Sequence, residues 1–289
     1  MRLFDMPLKP LLKWMGSKYS FRQEIIEKIH RTGYTGVYYE PFVGCGSVLL
    51  GLLPERAVIN DLNGQIVNMW RQLKSDANEL VDAYKSVDRS LITSEYYYER
   101  RAEHNEYRAN KVMSPRSAAI FIWVTSHSFN GLYRTRNDGT FNANWNKRDH
   151  YATPDFDNWR NVGKYLNDND ISIFNTDFED VVSLAEPGDL IYADPPYATG
   201  TGERAYSKEV YGGFDVVNDS IRVAETLEKC PCEVVCSNND NDTVRRLYPA
   251  RNWEYKQVWV YRAFHGSRGN VDHSKRSELV MVKRLCECG

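Results

Sequence analysis

Val37-Tyr38-Tyr39-Glu40-Pro41-Phe42-Val43-Gly44-Cys45-Gly46-Ser47 decides how the rest of the chain is read. Val37 to Phe42 reads as a strand rich in β-formers. A Gly-rich turn follows, and the apolar run Val48 to Leu53 reads as a helix. Strand, Gly-rich turn and helix are the opening of a nucleotide-binding unit. The glycines let backbone approach a ligand, and the helix N-terminus offers free N–H groups. Leu49 stands where the third glycine of G-x-G-x-x-G would be, so a dinucleotide pyrophosphate is not the expected guest. The next strand, Ala57 to Asn60, ends in Asp61. An acid at that strand tip is placed to accept ribose hydroxyls. The alternative is that Asp61 only caps a helix starting near Asn63. Turn and acid together suit an adenosine-containing ligand.

The same unit recurs downstream. Ile171 to Phe174 reads as a strand ending in Asn175-Thr176-Asp177-Phe178, a carboxylate and an aromatic suited to an adenine. Asp189 to Ala193 is a short apolar run, the mark of a buried parallel strand. It delivers Asp194-Pro195-Pro196-Tyr197. The prolines fix φ and push the residues before them out of the helical region. Asp194 and Tyr197 are therefore held stiffly at a strand's carboxyl end, where open α/β sheets bind ligands. A carboxylate, a carbonyl and an aromatic ring suit a planar base with an exocyclic amino group. Ala198 to Gly213 reads as a loop, Asp219 to Leu227 as a helix and Glu233 to Cys236 as a strand. Glu254 to Phe264 and Ser277 to Lys283 are expected as antiparallel edge strands. Between them, Arg268, Lys275 and Arg276 suit phosphate contact or simple solvation. Upstream, Lys13, Trp14 and Lys18 lie in a loop around Gly16-Ser17. Phe21, Ile25, Ile26 and Ile29 then mark a helix ended by Gly33.

From Gln65 to about Arg148 the parallel-strand signal disappears. Leu80 to Val87, Ser94 to Asn110 and Arg116 to Ser126 read as helices, the last capped by Ser114 with Pro115 at its first position. This is a helical insertion between two halves of an α/β domain. It ends in Ser128-Phe129-Asn130-Gly131-Leu132-Tyr133-Arg134-Thr135-Arg136-Asn137-Asp138-Gly139, with strong turn dipeptides at Asn130-Gly131 and Asp138-Gly139. Extended arms between them predict a projecting hairpin displaying Phe129, Leu132 and Tyr133. Such a display is unfavourable in water unless a partner covers it. Arg134 and Arg136 favour a nucleic acid as that partner.

At 289 residues, 42% apolar and 26% charged, the chain fits a globular protein. A formal net charge of −2 means that any nucleic-acid contact rests on local patches. The N-terminus lacks a signal-peptide core and no apolar run spans a bilayer, so a cytoplasmic protein without membrane contact is expected. Of the six cysteines, Cys230 with Cys232 and Cys286 with Cys288 have C-x-C spacing. That is off the usual zinc spacing, so no metal and reduced, neutral thiols are expected.

Lys13-Trp14-Met15-Gly16-Ser17-Lys18, Glu40 to Ser47, Asn60-Asp61, Phe129 to Arg134 and Asp194 to Tyr197 occur in one order along the chain. Taken together they resemble the Dam-type DNA adenine-N6 methyltransferases, over about Leu11 to Arg284. The resemblance implies a Rossmann-like, S-adenosylmethionine-dependent sheet over residues 1–64 and 150–289. Residues 65–149 would be an inserted helical target-recognition domain carrying the hairpin. It implies methyl transfer to N6 of a flipped-out adenine in double-stranded DNA, usually within GATC, with no obligate protein partner. Asp194, Pro195, Pro196 and Tyr197 would be catalytic. Trp14, Lys18, Phe42, Gly44, Gly46, Ser47, Asp61, Asp177, Phe178 and Asp194 would bind the methyl donor. Lys13, Phe129, Asn130, Leu132, Arg134 and Arg136 would contact DNA. Phe129 stands where Tyr is commoner in the family, and Tyr133 and Arg136 add bulk and charge. Cytosine-N4 methylation, nicotinamide chemistry on the same fold and a catalytically inactive DNA-binding relative are the alternatives.

Overall fold

The computed structural model describes residues 8–14, 16–88, 92–136, 138–148, 151–197, 215–261, 264–265, 271–272 and 275–284. Ala198 to Gly213, Arg268, Cys286 and Cys288 lie outside them, as do the side chains of Lys275 and Arg276.

The strands are β1 (Tyr38–Glu40), β2 (Arg56–Asn60), β3 (Asp170–Phe174), β4 (Leu190–Ala193), β5 (Glu233–Asn239), β6 (Trp253–Tyr261), β7 (Phe264–His265), β8 (Val271–Asp272) and β9 (Lys275–Lys283). Seven form one sheet in the order β3-β2-β1-β4-β5-β9-β6, while β7 and β8 pair separately. The first five in that order run parallel, with Tyr38 opposite both Ala57 and Leu190. β9 runs antiparallel between β5 and β6. The expectation of two edge strands thus holds for β6 alone. β9 lies inside the sheet because both of its sides find partners.

The strand order reverses between β1 and β4. That switch point leaves a crevice outside the carboxyl ends of the two strands. The Gly44–Gly46 turn follows one of them and Asp194 the other.

Helices cover both faces. They are α1 (Arg22–Thr32), α2 (Leu49–Leu52), α3 (Gly64–Val87), α4 (Ser94–Ala109), α5 (Pro115–His127), α6 (Phe156–Asp168), α7 (Phe178–Val182), α8 (Asn218–Lys229) and α9 (Asp242–Leu247). α6, α7 and α9 are additions to the sequence reading. Alternate residues of each strand enter different cores, as the pleat requires. Tyr38, Ile59, Leu190 and Val235 pack with α1, α2, α3, α5 and α6. Tyr39, Ile191, Val234 and Cys236 pack with α7, α8 and α9. α3 begins one turn after β2, capped by Asn63. The Ser114 capping box opens α5, with Pro115 inside it. Trp70, Leu73 and Tyr84 of α3 share the first core with Phe121 and Trp123 of α5.

The segment after α5 differs from the predicted hairpin. Phe129–Gly131 forms a single 3-10 turn, with Asn130 at φ 58° and Gly131 at φ 66°. The chain then doubles back around Asp138-Gly139, where one bridge joins Thr135 to Phe141. Arg136 N donates to Thr140 O and Asn142 N to Arg134 O. Tyr133 is not displayed: it is 3% exposed, stacked 4.9 Å from Phe141 and bonded to His104. Burying two rings against α4 and α5 gains more than presenting them to water, so only the turn projects.

Candidate active site

Asp194 leaves β4 with its carboxylate facing the N-terminal loop. Lys18 Nζ lies 2.7 Å from Asp194 Oδ2. The same ammonium donates to Gly16 O and sits 4.7 Å from the centre of the Tyr197 ring. One buried cation therefore ties both ends of Asp194-Pro195-Pro196-Tyr197 to the loop. The Tyr197 hydroxyl in turn donates to Glu278, a 2% exposed carboxylate on β9.

Glu40 lies beneath this group, 2% exposed, and accepts the Tyr38 hydroxyl at 2.7 Å. Burial pushes its carboxyl up to about 8. The Tyr38 bond opposes that rise, while the Asp194 charge adds to it and Lys18 subtracts. Isolated buried carboxylates ionise reluctantly for this reason.

Next to it stands the Gly-rich turn. Gly44 and Gly46 have φ of 48° and 67°, which favours glycine. A Cβ on Gly46 would lie 2.5 Å from the Trp70 ring, and one on Gly44 would lie 3.2 Å from Trp14. Trp70 Nε1 also donates to Gly44 O at 2.9 Å. Gly44 N donates to Asp61 Oδ2 at 3.0 Å, and Asn63 N donates to Asp61 Oδ1 at 2.8 Å. Asp61 therefore orders the turn and the loop that leads into α3, while the cap of that helix is Asn63 and not Asp61. Each of its oxygens retains a further lone pair for a ligand hydroxyl. Burial raises Asp61 to about 6 against those two bonds. Ser47 Oγ stands 2.7 Å from Ser17 Oγ, joining the turn to the N-terminal loop.

Phe42 and Phe178 lie side by side, with ring centres 5.4 Å apart, at the tips of β1 and β3. Asp177 caps α7 through Glu179 N. Its carboxylate also pairs with Arg222 at 3.0 Å, whose guanidinium lies 5.0 Å from the Phe178 ring centre. Trp14 spans two regions. It packs on the Gly44 turn, and its ring centre lies 5.4 Å from that of Tyr133.

The expected DNA-contacting residues lie around the Phe129–Gly131 turn. Phe129 is 51% exposed, Asn130 is exposed and Leu132 half-buried. Lys13 approaches from the N-terminal loop, its Cβ 3.7 Å from where a Cβ on Gly131 would stand. Arg134 is exposed and donates to Asn142 Oδ1 at 2.8 Å, and Arg136 is exposed beyond it.

Three contributors escaped the sequence reading. Glu278 and Arg222 lie far along the chain from their partners. Glu40 stands inside a motif whose glycines carry the local signal, and its burial and Tyr38 bond appear only in the fold. Cys230 and Cys232 are buried, with sulfurs 3.0 Å apart. Among the described residues, no group of three or more His, Cys, Asp or Glu side chains could hold a metal. No helix among them is long and apolar enough to cross a membrane.

A family model described as D12 class N6 adenine-specific DNA methyltransferase matches residues 14–262. The type II methyltransferase M1.LlaDCHI of Lactococcus lactis is 30% identical over 244 residues, 83% of this chain and 84% of that protein. The type II methyltransferase M.MjaIII of Methanocaldococcus jannaschii is 29% identical over 264 residues, 86% and 90% of the two chains. A DNA adenine methylase of Haemophilus influenzae is 26% identical over 281 residues, 95% and 93% of the two chains.

Proposed function

The chain belongs to the D12 class N6 adenine-specific DNA methyltransferases, and from that premise we propose that it uses S-adenosylmethionine to methylate a flipped-out adenine within GATC. The observation that carries this reading is the Lys18–Asp194 contact beside Tyr197, at the crevice where the Gly44–Gly46 turn also ends. Membership sets cytosine-N4 and nicotinamide chemistry aside.

The donor set suits a cationic, adenosine-bearing group. Carboxylates stand at the tips of β2, β3 and β4, as Asp61, Asp177 and Asp194, with Phe42 and Phe178 beside them. Asp61 would accept ribose hydroxyls. Asp177 and Phe178 would hold the adenine ring, Trp14 and Ser47 would line the turn side, and Lys18 and Asp194 would flank the methionine end. When bound, the cofactor supplies an electrophilic methyl on a sulfonium.

The target amino group is buried in a duplex, so the base must leave the stack at a cost of a few kcal/mol. Phe129 and Asn130 would fill the gap it leaves, and Lys13, Leu132, Arg134 and Arg136 would read or anchor the flanking bases. Residues 65–149 act as the target-recognition part and the remainder as the catalytic part. Tyr197 stacks on the extruded adenine. The Asp194 carboxylate and the Pro195 carbonyl accept hydrogen bonds from the N6 protons, which turns the nitrogen lone pair away from the ring. Pro196 stiffens the path from one to the other. Gain comes from positioning and from dipoles aimed at the charge developing on nitrogen. Asp194 holds that charge and takes the proton late.

The experiment is Asp194→Ala, assayed for labelled-methyl transfer and for duplex binding. Transfer lost with binding near normal agrees, and retained transfer overturns the assignment. Sequencing DNA from a host without adenine methylation, after expression of this chain, reads the target. Methylated adenines outside GATC would refute that part of the proposal.

A further inference from the structure

We infer that Glu278 is a positioning residue for methyl transfer, acting by holding the phenol of Tyr197. The inference rests on the reading of Tyr197 as the stacking face for the extruded base. Glu278 lies on β9, opposite Asn239 of β5 and Val258 of β6, so its backbone is paired on both sides. Its side chain is 2% exposed. A carboxylate there costs desolvation energy unless strong donors meet it. The Tyr197 hydroxyl is such a donor, reaching across 81 residues of sequence.

Three restraints then act on one ring. Pro195 and Pro196 limit the backbone that carries it. Lys18 lies over one face, 4.7 Å from the ring centre. Glu278 fixes the hydroxyl tip. With the face and the tip both held, the ring plane has little freedom, and a base stacked on the opposite face inherits that orientation. Since small misplacements of a reacting atom lower rate steeply, the tip restraint bears on turnover more than on duplex affinity. A charged acceptor also makes the stronger hydrogen bond.

The test is a double-mutant cycle of Glu278→Gln and Tyr197→Phe in the full chain. It reads kcat, KM for duplex and the emission of 2-aminopurine placed at the target adenine. The duplex carries whichever target the sequencing experiment gives. Tyr197→Phe is expected to lower kcat about tenfold, and Glu278→Gln about threefold, because the amide still accepts the bond. KM stays within about twofold in both. In the Tyr197→Phe background, Glu278→Gln is expected to change nothing further. Losses that multiply in the double variant overturn the inference, since Glu278 would then act without the phenol. So does a silent Tyr197→Phe beside an impaired Glu278→Gln. Tyr197→Ala separates the two levels. If it leaves both kcat and emission unchanged, the stacking role of Tyr197 itself fails. If it impairs both while the cycle is additive, only the role of Glu278 fails.

Discussion

Lys18 Nζ and Asp194 Oδ2 stand 2.7 Å apart, with the lysine side chain 3% exposed and the aspartate 17%. Breaking a buried pair from one side leaves the other charge uncompensated, at about 3–5 kcal/mol. Lys18→Met should therefore lower the urea midpoint and reduce kcat by about 100-fold, the usual scale for one aimed electrostatic contact. A double variant, Lys18→Met with Asp194→Asn, should regain much of the lost stability and none of the transfer. Urea titrations with labelled-methyl assays on both proteins check this. Stability and transfer recovering together would mean that the pair serves the fold alone.

Gly46 and Gly33 share a positive φ, 67° and 70°, but not a neighbourhood. A Cβ at Gly46 lies 2.5 Å from Trp70, whereas one at Gly33 meets nothing within 4 Å. Gly33→Ala should cost only the backbone penalty, about 1–2 kcal/mol. Gly46→Ala adds overpacking against a buried ring, for roughly 2–5 kcal/mol in all, and should weaken cofactor binding as the turn shifts. Paired urea titrations and calorimetric titration with S-adenosylmethionine distinguish the two. Equal costs would remove the packing argument.

These two glycines also mark what local sequence can and cannot convey. The turn after β1, the acid after β2 and the prolines after β4 are short-range signals, and each stands where the sequence reading put it. α6 carries local signals as well, an Asp155 cap and Phe156, Trp159, Val162 and Leu166 at helical spacing, yet it is absent from the sequence reading. The position of β9 was not legible, because its place between β5 and β6 depends on backbone pairing with distant strands. Tyr133 looked like an exposed aromatic because its partners, Phe121 and His104, belong to helices elsewhere in the chain. Glu278 left no local trace, since its meaning comes from Tyr197.

Glu40 makes stability depend on pH in a stated direction. Its carboxyl sits at about 8 in the folded chain against an ordinary 4.5, chiefly through burial. Below the ordinary value both folded and unfolded chains hold the proton, and nothing is lost. Above it the unfolded chain releases a proton that the folded chain keeps, so stability falls as pH rises toward about 8. Relative to Glu40→Gln, which does not titrate, the wild-type chain should lose up to about 1.4 kcal/mol per pH unit within that window. Urea midpoints of both proteins at about pH 5, 6.5 and 8 measure the difference. Parallel profiles for the two proteins would show that Glu40 is already ionised at the low end.

Phe129 is 51% exposed at the tip of a turn whose backbone is tied down from both sides. Phe129 N donates to Asn144 O, and Leu132 N donates to Phe129 O. The ring itself supports little of the fold, so Phe129→Ala should change stability by no more than about 0.5 kcal/mol. Its loss should instead appear with DNA. An aromatic that fills the gap left by an extruded base lowers the cost of extrusion, which is a few kcal/mol. The variant should give weaker 2-aminopurine emission at the target position and a kcat/KM lower by about 10- to 100-fold, equivalent to roughly 1.4–2.7 kcal/mol. Transfer to an adenine facing a mismatch, already half out of the stack, should suffer less. If the matched and mismatched duplexes lose activity equally, Phe129 contacts DNA in some way other than by taking the place of the base.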